Sequence, residues 1–233
     1  MLMQLFYGQI NQDRFKLHES EINHCVRVLR KNAGDTIHFI TGDGNLYSGT
    51  IEIASKREIE GSYTLKEKQW GDVPYDLTIA VAPTKNMDRF EWLIEKSIEL
   101  GVSRIIPLRC DRSERKVIKD ERLFKVALSA TKQSLKGRLP IIDPLTSFED
   151  FVAGNLEGTR CIAHCEDTER TAFTEIAPSE SLIVLIGPEG DFTPAEVQSA
   201  QQAGFTPIHL GQSRLRTETA ALTAVSMVYA AHL

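Results

Sequence analysis

Residues 186–191 are Ile-Gly-Pro-Glu-Gly-Asp, and residues 210–220 are Leu-Gly-Gln-Ser-Arg-Leu-Arg-Thr-Glu-Thr-Ala. Each stretch follows a short apolar run that predicts a buried strand, at residues 181–186 and 206–210, and each precedes a helical pattern. Ligands of open α/β sheets bind at the carboxyl edge of the strands. Glycine permits turns that other residues avoid and lets a ligand approach the main chain. The two stretches therefore predict a ligand-binding edge.

The chain divides near residue 72, at a linker predicted over residues 70–75. After the linker, apolar runs alternate with amphipathic stretches, which is typical of an α/β domain with a mostly parallel sheet. Further strands are predicted at residues 77–82, at residues 102–108 and around Cys161, and helices at residues 87–100, 121–135 and 215–232. Residues 73–233 are therefore expected to form this domain.

The part before the linker is rich in short β-like runs with turn signals. These runs are residues 36–40, 46–53 and 59–68. The Asp-Gly pair at residues 43–44 is a hairpin signal. A short helix is expected around residues 20–30, with Ser20 as its N-cap. We therefore predict a small β-barrel domain over residues 1–72.

Composition narrows the class of protein. The 233 residues are 42% hydrophobic and 25% charged, which is ordinary for a globular protein of one or two domains. No apolar run reaches membrane-spanning length, and the first residues lack signal-peptide features, so we expect a cytoplasmic protein without a membrane partner. The net charge of −5 argues against bulk electrostatic coating of nucleic acid, but local basic stretches occur at residues 24–31 and 104–119.

The four cysteines do not suggest a disulfide framework. Cys161 and Cys165, with His164 between them, suggest a partial metal site, but no second ligand pair has zinc spacing. We therefore expect buried structural cysteines and no metal. The chain also lacks a Gly-x-x-x-x-Gly-Lys phosphate loop and a Gly-x-Gly-x-x-Gly fingerprint after a strand.

The two C-terminal stretches, in this order, resemble the hallmark motifs of the SPOUT superfamily of RNA methyltransferases. Within it, the chain resembles the RsmE family, which methylates N3 of a uridine in small-subunit (16S) ribosomal RNA. Further similar residues lie along nearly the whole chain: His24, Val28, Leu29, Arg30, Gly34, Asp35, Lys96, Glu99, Leu100, Gly101, Val102, Pro107, Arg112, Ser113, Gln133, Ser134 and Pro140. Two departures are Asp191, where a second glycine is expected, and Arg138, which follows the Gln-Ser pair later than usual.

The resemblance implies S-adenosylmethionine held in a bent conformation by a deep C-terminal trefoil knot. Rules of chain topology alone argue against a knot. The resemblance also implies a homodimer, a PUA-like β-barrel that precedes the methyltransferase domain in the chain, and small-subunit ribosomal RNA or the assembled subunit as partner. The expected cofactor-binding residues are Ile186, Gly187, Pro188, Glu189, Gly190, Leu210, Gly211, Leu215, Arg216, Thr217, Thr219 and Ala220. The expected RNA-binding residues are His24, Arg27, Arg30, Lys31, Arg112 and Gln133. The loop at His164 is a candidate border for the adenine.

Four residues are candidates for the chemistry. Methyl transfer from a sulfonium is an in-line displacement in which positioning supplies much of the rate. Uracil N3 must lose its proton, so Arg214 and Arg216 are candidates to stabilise the anion, beside a helix N-terminus. Glu189 and Glu218 are candidate proton acceptors. Alternatively, Glu218 is present only because the helix dipole favours an acid in the first turn, and Glu189 only braces its turn. The arginines would then hold RNA phosphate or pair with these acids.

Two other functions stay open at this point. One is a SPOUT enzyme with another target, a ribose 2′-oxygen or a tRNA, which the N-terminal resemblance disfavours. The other is a non-catalytic RNA-binding or ribosome-assembly factor, which the intact motifs and their arginines disfavour.

Overall fold

The computed structural model describes residues 3–166 and 169–233. The chain forms two compact units: the first extends to Asp72 and includes Leu128–Leu139, and the second comprises Val73–Ala127 and Pro140–Leu233. No feature of the sequence indicated that the segment at residues 128–139 groups with the first unit.

The first unit contains a closed β-barrel, as the β-rich runs predicted. Its strands are β1 (Leu5–Asn11), β2 (Arg14–Leu17), β3 (Thr36–Ile40), β4 (Leu46–Ala54) and β5 (Ile59–Glu67). They pair in the order β1-β2-β5-β4-β3, and the parallel pairing of β1 with β3 closes the barrel. The hairpin predicted around residues 43–44 is confirmed, since β3 and β4 are antiparallel. Buried Phe6, Phe15 and Phe39 fill the barrel.

The helical segment of this unit differs from the prediction. Helix α1 (Glu19–Asn23) continues into a π-helical turn (His24–Val28), where one helix over residues 20–30 was expected. The prediction of Ser20 as N-cap is wrong, because the backbone N–H of Ser20 donates to the His18 ring nitrogen at 3.3 Å. An aromatic nitrogen two residues upstream replaces the hydroxyl as cap acceptor. The chain then leaves the helical turn at Arg30, whose φ is +54°.

The second unit is built on a parallel sheet. Its strands are β6 (Asp76–Val81), β7 (Arg104–Arg109), β8 (Ile141–Ile142), β9 (Thr146–Ser147), β10 (Thr159–Ala163), β11 (Thr171–Ala172), β12 (Ser181–Ile186) and β13 (Thr206–His209). They follow the order β11-β13-β10-β12-β6-β7-β8, and β9 pairs with β7. The predicted α/β class is confirmed, whereas the C-terminal knot stays a prediction.

Helices connect these strands. They are α2 (Met87–Glu99), α3 (Asp120–Gln133), α4 (Phe148–Val152), α5 (Phe173–Ile176), α6 (Pro194–Gln202) and α7 (Thr217–Ala231). Helix α3 ends two residues before the predicted end, and Leu135 beyond it has a φ of +56°, which no α-helix accommodates. Helix α7 starts at Thr217 rather than residue 215, because Arg216 has an extended backbone as the N-cap.

The register of the central strands decides where the loops begin. Ala163 at the end of β10 lies beside Ile186 of β12 on one side and Ile208 of β13 on the other. Three chain segments therefore leave the sheet side by side at its carboxyl edge. Two of them are the glycine-bearing stretches from which the ligand edge was predicted.

Cys25, Cys110 and Cys161 are buried as expected, but Cys165 is exposed. Burial raises the pKa of the Cys25 thiol to about 11 and that of Cys161 to about 12. Cys165 lies beyond the end of β10, where the chain has left the sheet. Among residues 3–166 and 169–233, no group of three or more His, Cys, Asp and Glu side chains is placed to hold a metal ion. In the same described part, every helix is too short or too polar to cross a membrane.

Candidate active site

A cavity of about 350 Å³ lies at the carboxyl edge where β10, β12 and β13 end. Most of the residues predicted to bind the cofactor line it: Ile186, Gly187, Pro188, Glu189, Leu210, Gly211, Leu215, Arg216, Thr217 and Ala220. Among the described residues, Gly190 and Thr219 of the predicted set lie outside this lining. The structure therefore brings the two motifs together around one space in the second unit.

A third wall of the cavity comes from the chain after β10. His164, Cys165 and Arg170 line it, together with Asp191 at the end of the first motif. His164 was considered as a border of the adenine, but the other three were not predicted. The only signal that points to this wall is that β10 is an apolar strand. Its place between β12 and β13 follows from sheet order, which local sequence does not encode.

The first motif forms a tight turn. The Asp191 N–H donates to the Pro188 carbonyl oxygen at 2.9 Å. A β-carbon on Gly187 would lie 3.1 Å from the backbone nitrogen of Phe192, so a larger residue would displace the turn from the buried Phe192. This packing explains why glycine occupies the strand exit at residue 187.

One buried hydrogen bond joins the two motifs. The Thr217 hydroxyl donates to the Gly187 carbonyl oxygen at 3.1 Å, and Thr217 is 5% exposed. In the second motif Gly211 has a φ of +121°, where a side chain would be strained, and a β-carbon there would have no neighbour within 4 Å. The space beside the Gly211 backbone is thus open to a ligand, while the Gly211 N–H donates to the His209 ring nitrogen at 3.4 Å.

Two arginines of the second motif lie at the cavity with open guanidinium groups, that is, groups without a partner among the described residues. Arg214 and Arg216 both line it and are exposed. In the part of the chain that the structure describes, neither guanidinium has a hydrogen-bond or ion-pair partner. Arg216 is the N-cap residue of α7, and its side chain makes no cap bond. The positive end of the helix dipole therefore adds to the charge of the arginines.

The two candidate acids have different surroundings. Glu189 lines the cavity, and its carboxylate accepts a hydrogen bond from the Lys85 N–H at 3.0 Å. Arg115 donates to the carbonyl oxygen of the same Lys85. Glu218 is 8% exposed, pairs with Arg89 at 3.5 Å, and lies outside the cavity lining that the described residues form. Glu189, and not Glu218, therefore lines the same cavity as the open arginines.

The residues predicted to bind RNA fall into two groups. Arg112 is in the second unit, and its guanidinium donates to the carbonyl oxygens of Gly190 and Phe192 at 2.9 and 3.2 Å. The others lie in the first unit: His24, Arg27, Arg30, Lys31 and Gln133. Arg112 therefore holds the turn of the first motif, and its guanidinium is engaged there by backbone instead of standing free for an RNA phosphate.

Four residues of the first-unit group lie on or just after the π-helical turn, and the fifth is Gln133. His24, Arg27 and Arg30 are exposed, whereas Lys31 donates to the Thr36 carbonyl oxygen at 3.2 Å. Gln133 is exposed at the end of α3. Within the first unit this end is anchored by an ion pair of 2.6 Å between its neighbour Lys132 and Glu21 of α1, a residue with 4% exposure.

His164 is a buried titratable group beside the cavity wall. It is 5% exposed, and its two ring nitrogens have no hydrogen-bond partner among the described residues. Burial lowers the pKa of His164 below its ordinary value of 6.5, while the Asp191 carboxylate opposes that shift. The ring is therefore neutral at physiological pH.

Comparisons with known proteins agree with this geometry. An RNA methyltransferase domain matches residues 72–229, and an RNA methyltransferase PUA domain matches residues 17–62. The Ribosomal RNA small subunit methyltransferase E of Bacillus subtilis (strain 168) is 30% identical over 228 residues, which cover 92% of this chain and 89% of that protein.

Two solved structures are similar over almost their whole length. One, from Porphyromonas gingivalis and described as a probable rRNA-methyltransferase, is 38% identical with a TM-score of 0.86, covering 99% of this chain and 98% of its own. The other is a Ribosomal RNA small subunit methyltransferase E from Neisseria gonorrhoeae bound to S-adenosylmethionine. It is 27% identical with a TM-score of 0.78, covering 97% of this chain and 96% of its own.

Proposed function

The chain belongs to the ribosomal RNA small subunit methyltransferase E family of S-adenosylmethionine-dependent enzymes, and we propose that it methylates N3 of a uridine in small-subunit ribosomal RNA. The observation that carries the proposal is the pair of open arginines, Arg214 and Arg216, on a cavity walled by glycine-bearing strand exits. A substrate of this kind would place the protein in the cytoplasm.

The cavity suits the methyl donor. Its volume of about 350 Å³ lies within the range of roughly 300–1,000 Å³ that is common for small-molecule sites. Ile186, Ile208, Leu210 and Leu215 give it apolar wall for a purine ring, and open backbone at Gly211 offers polar groups. The bound cofactor would supply a methyl group on a positively charged sulfur.

The residues of the chain would supply positioning and charge. Uracil N3 becomes a nucleophile when its proton leaves, and negative charge then spreads to the two carbonyl oxygens, O2 and O4. Arg216 would donate to one of these oxygens, because a fixed, permanently charged donor is worth most where charge develops. Glu189 is the better candidate for accepting the N3 proton, since Glu218 is already paired with Arg89. The Lys85 N–H bond would orient the Glu189 carboxylate.

We propose that residues 1–72 form the RNA-binding domain and residues 73–233 the catalytic domain. Support comes from the exposed His24 and Arg27 on the π-helical turn and the exposed Arg30 just after it. Phosphate contacts from such residues make RNA affinity fall as the salt concentration rises. Changing Arg27 and Arg30 to Glu should weaken RNA binding and flatten its salt dependence while cofactor affinity stays unchanged.

We also propose a homodimer through helices α2 and α7. Trp92 of α2 is 44% exposed, although large aromatic side chains are usually well buried. It lines one surface with residues of α7: Thr219, Leu222, Thr223, Ser226, Met227 and Ala230. A second copy of the chain would cover this largely apolar surface.

The proposed reaction is tested by transfer of labelled methyl from S-adenosylmethionine to small ribosomal subunits from a strain without this activity, followed by nucleoside mass spectrometry. We expect 3-methyluridine. Arg216→Ala should lower kcat about a hundredfold or more and leave cofactor affinity within a few-fold, because the contact forms mainly in the transition state. Arg57→Ala, an exposed arginine of the barrel, is the matched control. A 2′-O-methylated product would reassign the target, and RNA binding without transfer would favour an assembly factor.

A further inference from the structure

Asp191 has a backbone conformation that favours glycine. Its φ is +61°, and the resemblance led us to expect glycine at this position. Asp and Asn are the side chains that most readily tolerate the left-handed region, although glycine adopts it with less strain. A residue with this conformational cost at the wall of the cavity calls for a compensating contact.

Its carboxylate makes two contacts with backbone N–H groups. Oδ1 accepts from the Phe192 N–H at 2.8 Å, within the turn of the first motif. Oδ2 accepts from the Cys165 N–H, also at 2.8 Å, in the segment that follows β10. The second bond connects two neighbouring strand exits, because Ala163 of β10 and Ile186 of β12 lie side by side in the sheet. Glycine at position 191 would make neither bond.

Both connected segments line the cavity. Cys165 and Asp191 are among its lining residues, as are His164 and Arg170 on the β10 side. Arg170 donates to the His164 carbonyl oxygen at 2.6 Å, a contact that lies within this wall. The Asp191 bond differs from it because it reaches across to the wall formed by β12.

We propose that Asp191 is a positioning residue that fixes the wall after β10 against the turn after β12, and so holds the cofactor cavity in its binding shape. The inference rests on the proposed function in one respect, namely that this cavity binds S-adenosylmethionine. Asp191 touches neither the methyl group nor the RNA in this assignment, so its contribution is to cofactor affinity.

The magnitude follows from the population of the binding shape. Apparent affinity falls in proportion to the fraction of molecules whose cavity is correctly formed. A hydrogen bond to a charged group is worth about one factor of ten or somewhat more in an equilibrium constant. A cavity that is mostly formed loses less than this full factor, so removing the bond to Cys165 should weaken cofactor affinity roughly threefold to tenfold. The chemical step should stay unchanged once the cofactor is saturating.

Asp191→Gly is the informative variant, because glycine accepts the left-handed backbone and removes only the carboxylate. Cofactor Kd is measured by calorimetry with S-adenosylmethionine on the full-length protein, and kcat is measured at saturating cofactor. Hydrogen exchange of the Cys165 amide gives a readout that does not depend on activity. Gln12→Gly is the matched control, since Gln12 has a φ of +55° in the other unit.

We expect Asp191→Gly to raise Kd roughly threefold to tenfold, to keep kcat within about twofold, and to accelerate exchange at Cys165. Asp191→Asn should lie between wild type and Asp191→Gly, because its side chain has one acceptor oxygen for two N–H donors. The control should match wild type in all three. Wild-type affinity and slow Cys165 exchange in Asp191→Gly would overturn the inference, as would a loss of kcat at unchanged Kd. If wild type itself does not bind S-adenosylmethionine, the proposed function fails instead.

Discussion

Replacing Thr217 by Val should loosen the junction between the two motifs. The Thr217 hydroxyl donates to the buried Gly187 carbonyl oxygen at 3.1 Å, and Val retains the branched shape without the donor. The carbonyl would then be buried without this partner. Leaving a buried acceptor without its partner costs roughly 1–3 kcal/mol, so we expect a loss of about 2 kcal/mol. For a protein of this size that corresponds to a fall in Tm of roughly 4–8 °C.

The assay is thermal unfolding followed by circular dichroism, with cofactor affinity measured by calorimetry. Thr146→Val is the control, because the Thr146 hydroxyl donates to the carbonyl oxygen of Pro144 at an exposed site, at 2.9 Å. Water replaces that partner, so the control should change stability by less than about 0.5 kcal/mol. Cofactor affinity should fall in Thr217→Val, since Gly187 and Thr217 both line the cavity. Equal Tm values for the two variants would refute the reasoning.

Arg112→Ala should weaken cofactor binding, measured by calorimetry, roughly threefold or more, because the Arg112 guanidinium holds the turn at Gly190. It should leave the salt dependence of RNA affinity, measured by filter binding, unchanged. Unchanged cofactor affinity with a shallower salt dependence would restore the RNA contact predicted from sequence. Burial lowers the pKa of His164 below 6.5, so the unfolded chain binds more protons as pH falls below that value and stability declines there. In His164→Phe, the free energy of unfolding measured with denaturant should decline less steeply between about pH 7.5 and 5.5. The decline that remains comes in part from His38, whose pKa burial also lowers. A decline as steep as in the wild type would contradict the assignment. Trp92→Glu should convert a dimer into a monomer in analytical ultracentrifugation, and a dimeric variant would place the interface elsewhere.

The position of the cavity at the sheet edge could be predicted because its signals are local. A short apolar run followed by glycine marks each exit, and β12 spans the predicted residues 181–186. Sheet order is different, because it depends on which strands pair across the chain. The position of β10 between β12 and β13 has no local signal, so Cys165 and Arg170 were missed. The same limit explains why residues 128–139 could not be grouped with the barrel unit.

Local chemistry also misled at one end of a helix. Ser20 has the residue type of an N-cap, yet the His18 ring takes that role two residues earlier. Residue type indicates what a side chain is able to accept. The direction of the entering strand β2 determines which side chain is in reach, and that direction is a tertiary property.

The arginines show most clearly what structure adds to sequence. Arg89, Arg112, Arg115, Arg214 and Arg216 have the same charge in the sequence, and any of them could grip RNA. The first three are engaged by a carboxylate or by backbone carbonyl oxygens. Within the described residues, the last two have no such partner, and they stand on the cavity where α7 begins.

The difference between paired arginines and the two open arginines at the cavity explains how a chain with a net negative charge could bind a polyanionic RNA. A net charge of −5 repels RNA at long range, but within about 10 Å of the cavity at moderate salt the local charges dominate. The guanidinium groups of Arg170, Arg214 and Arg216, together with a helix N-terminus, outweigh the Glu189 and Asp191 carboxylates there. The local field favours the deprotonated form of an acidic ring nitrogen, which is the form that attacks a methyl group. The same field would hold a nearby phosphate, so substrate binding and activation of the nucleophile would draw on the same charges.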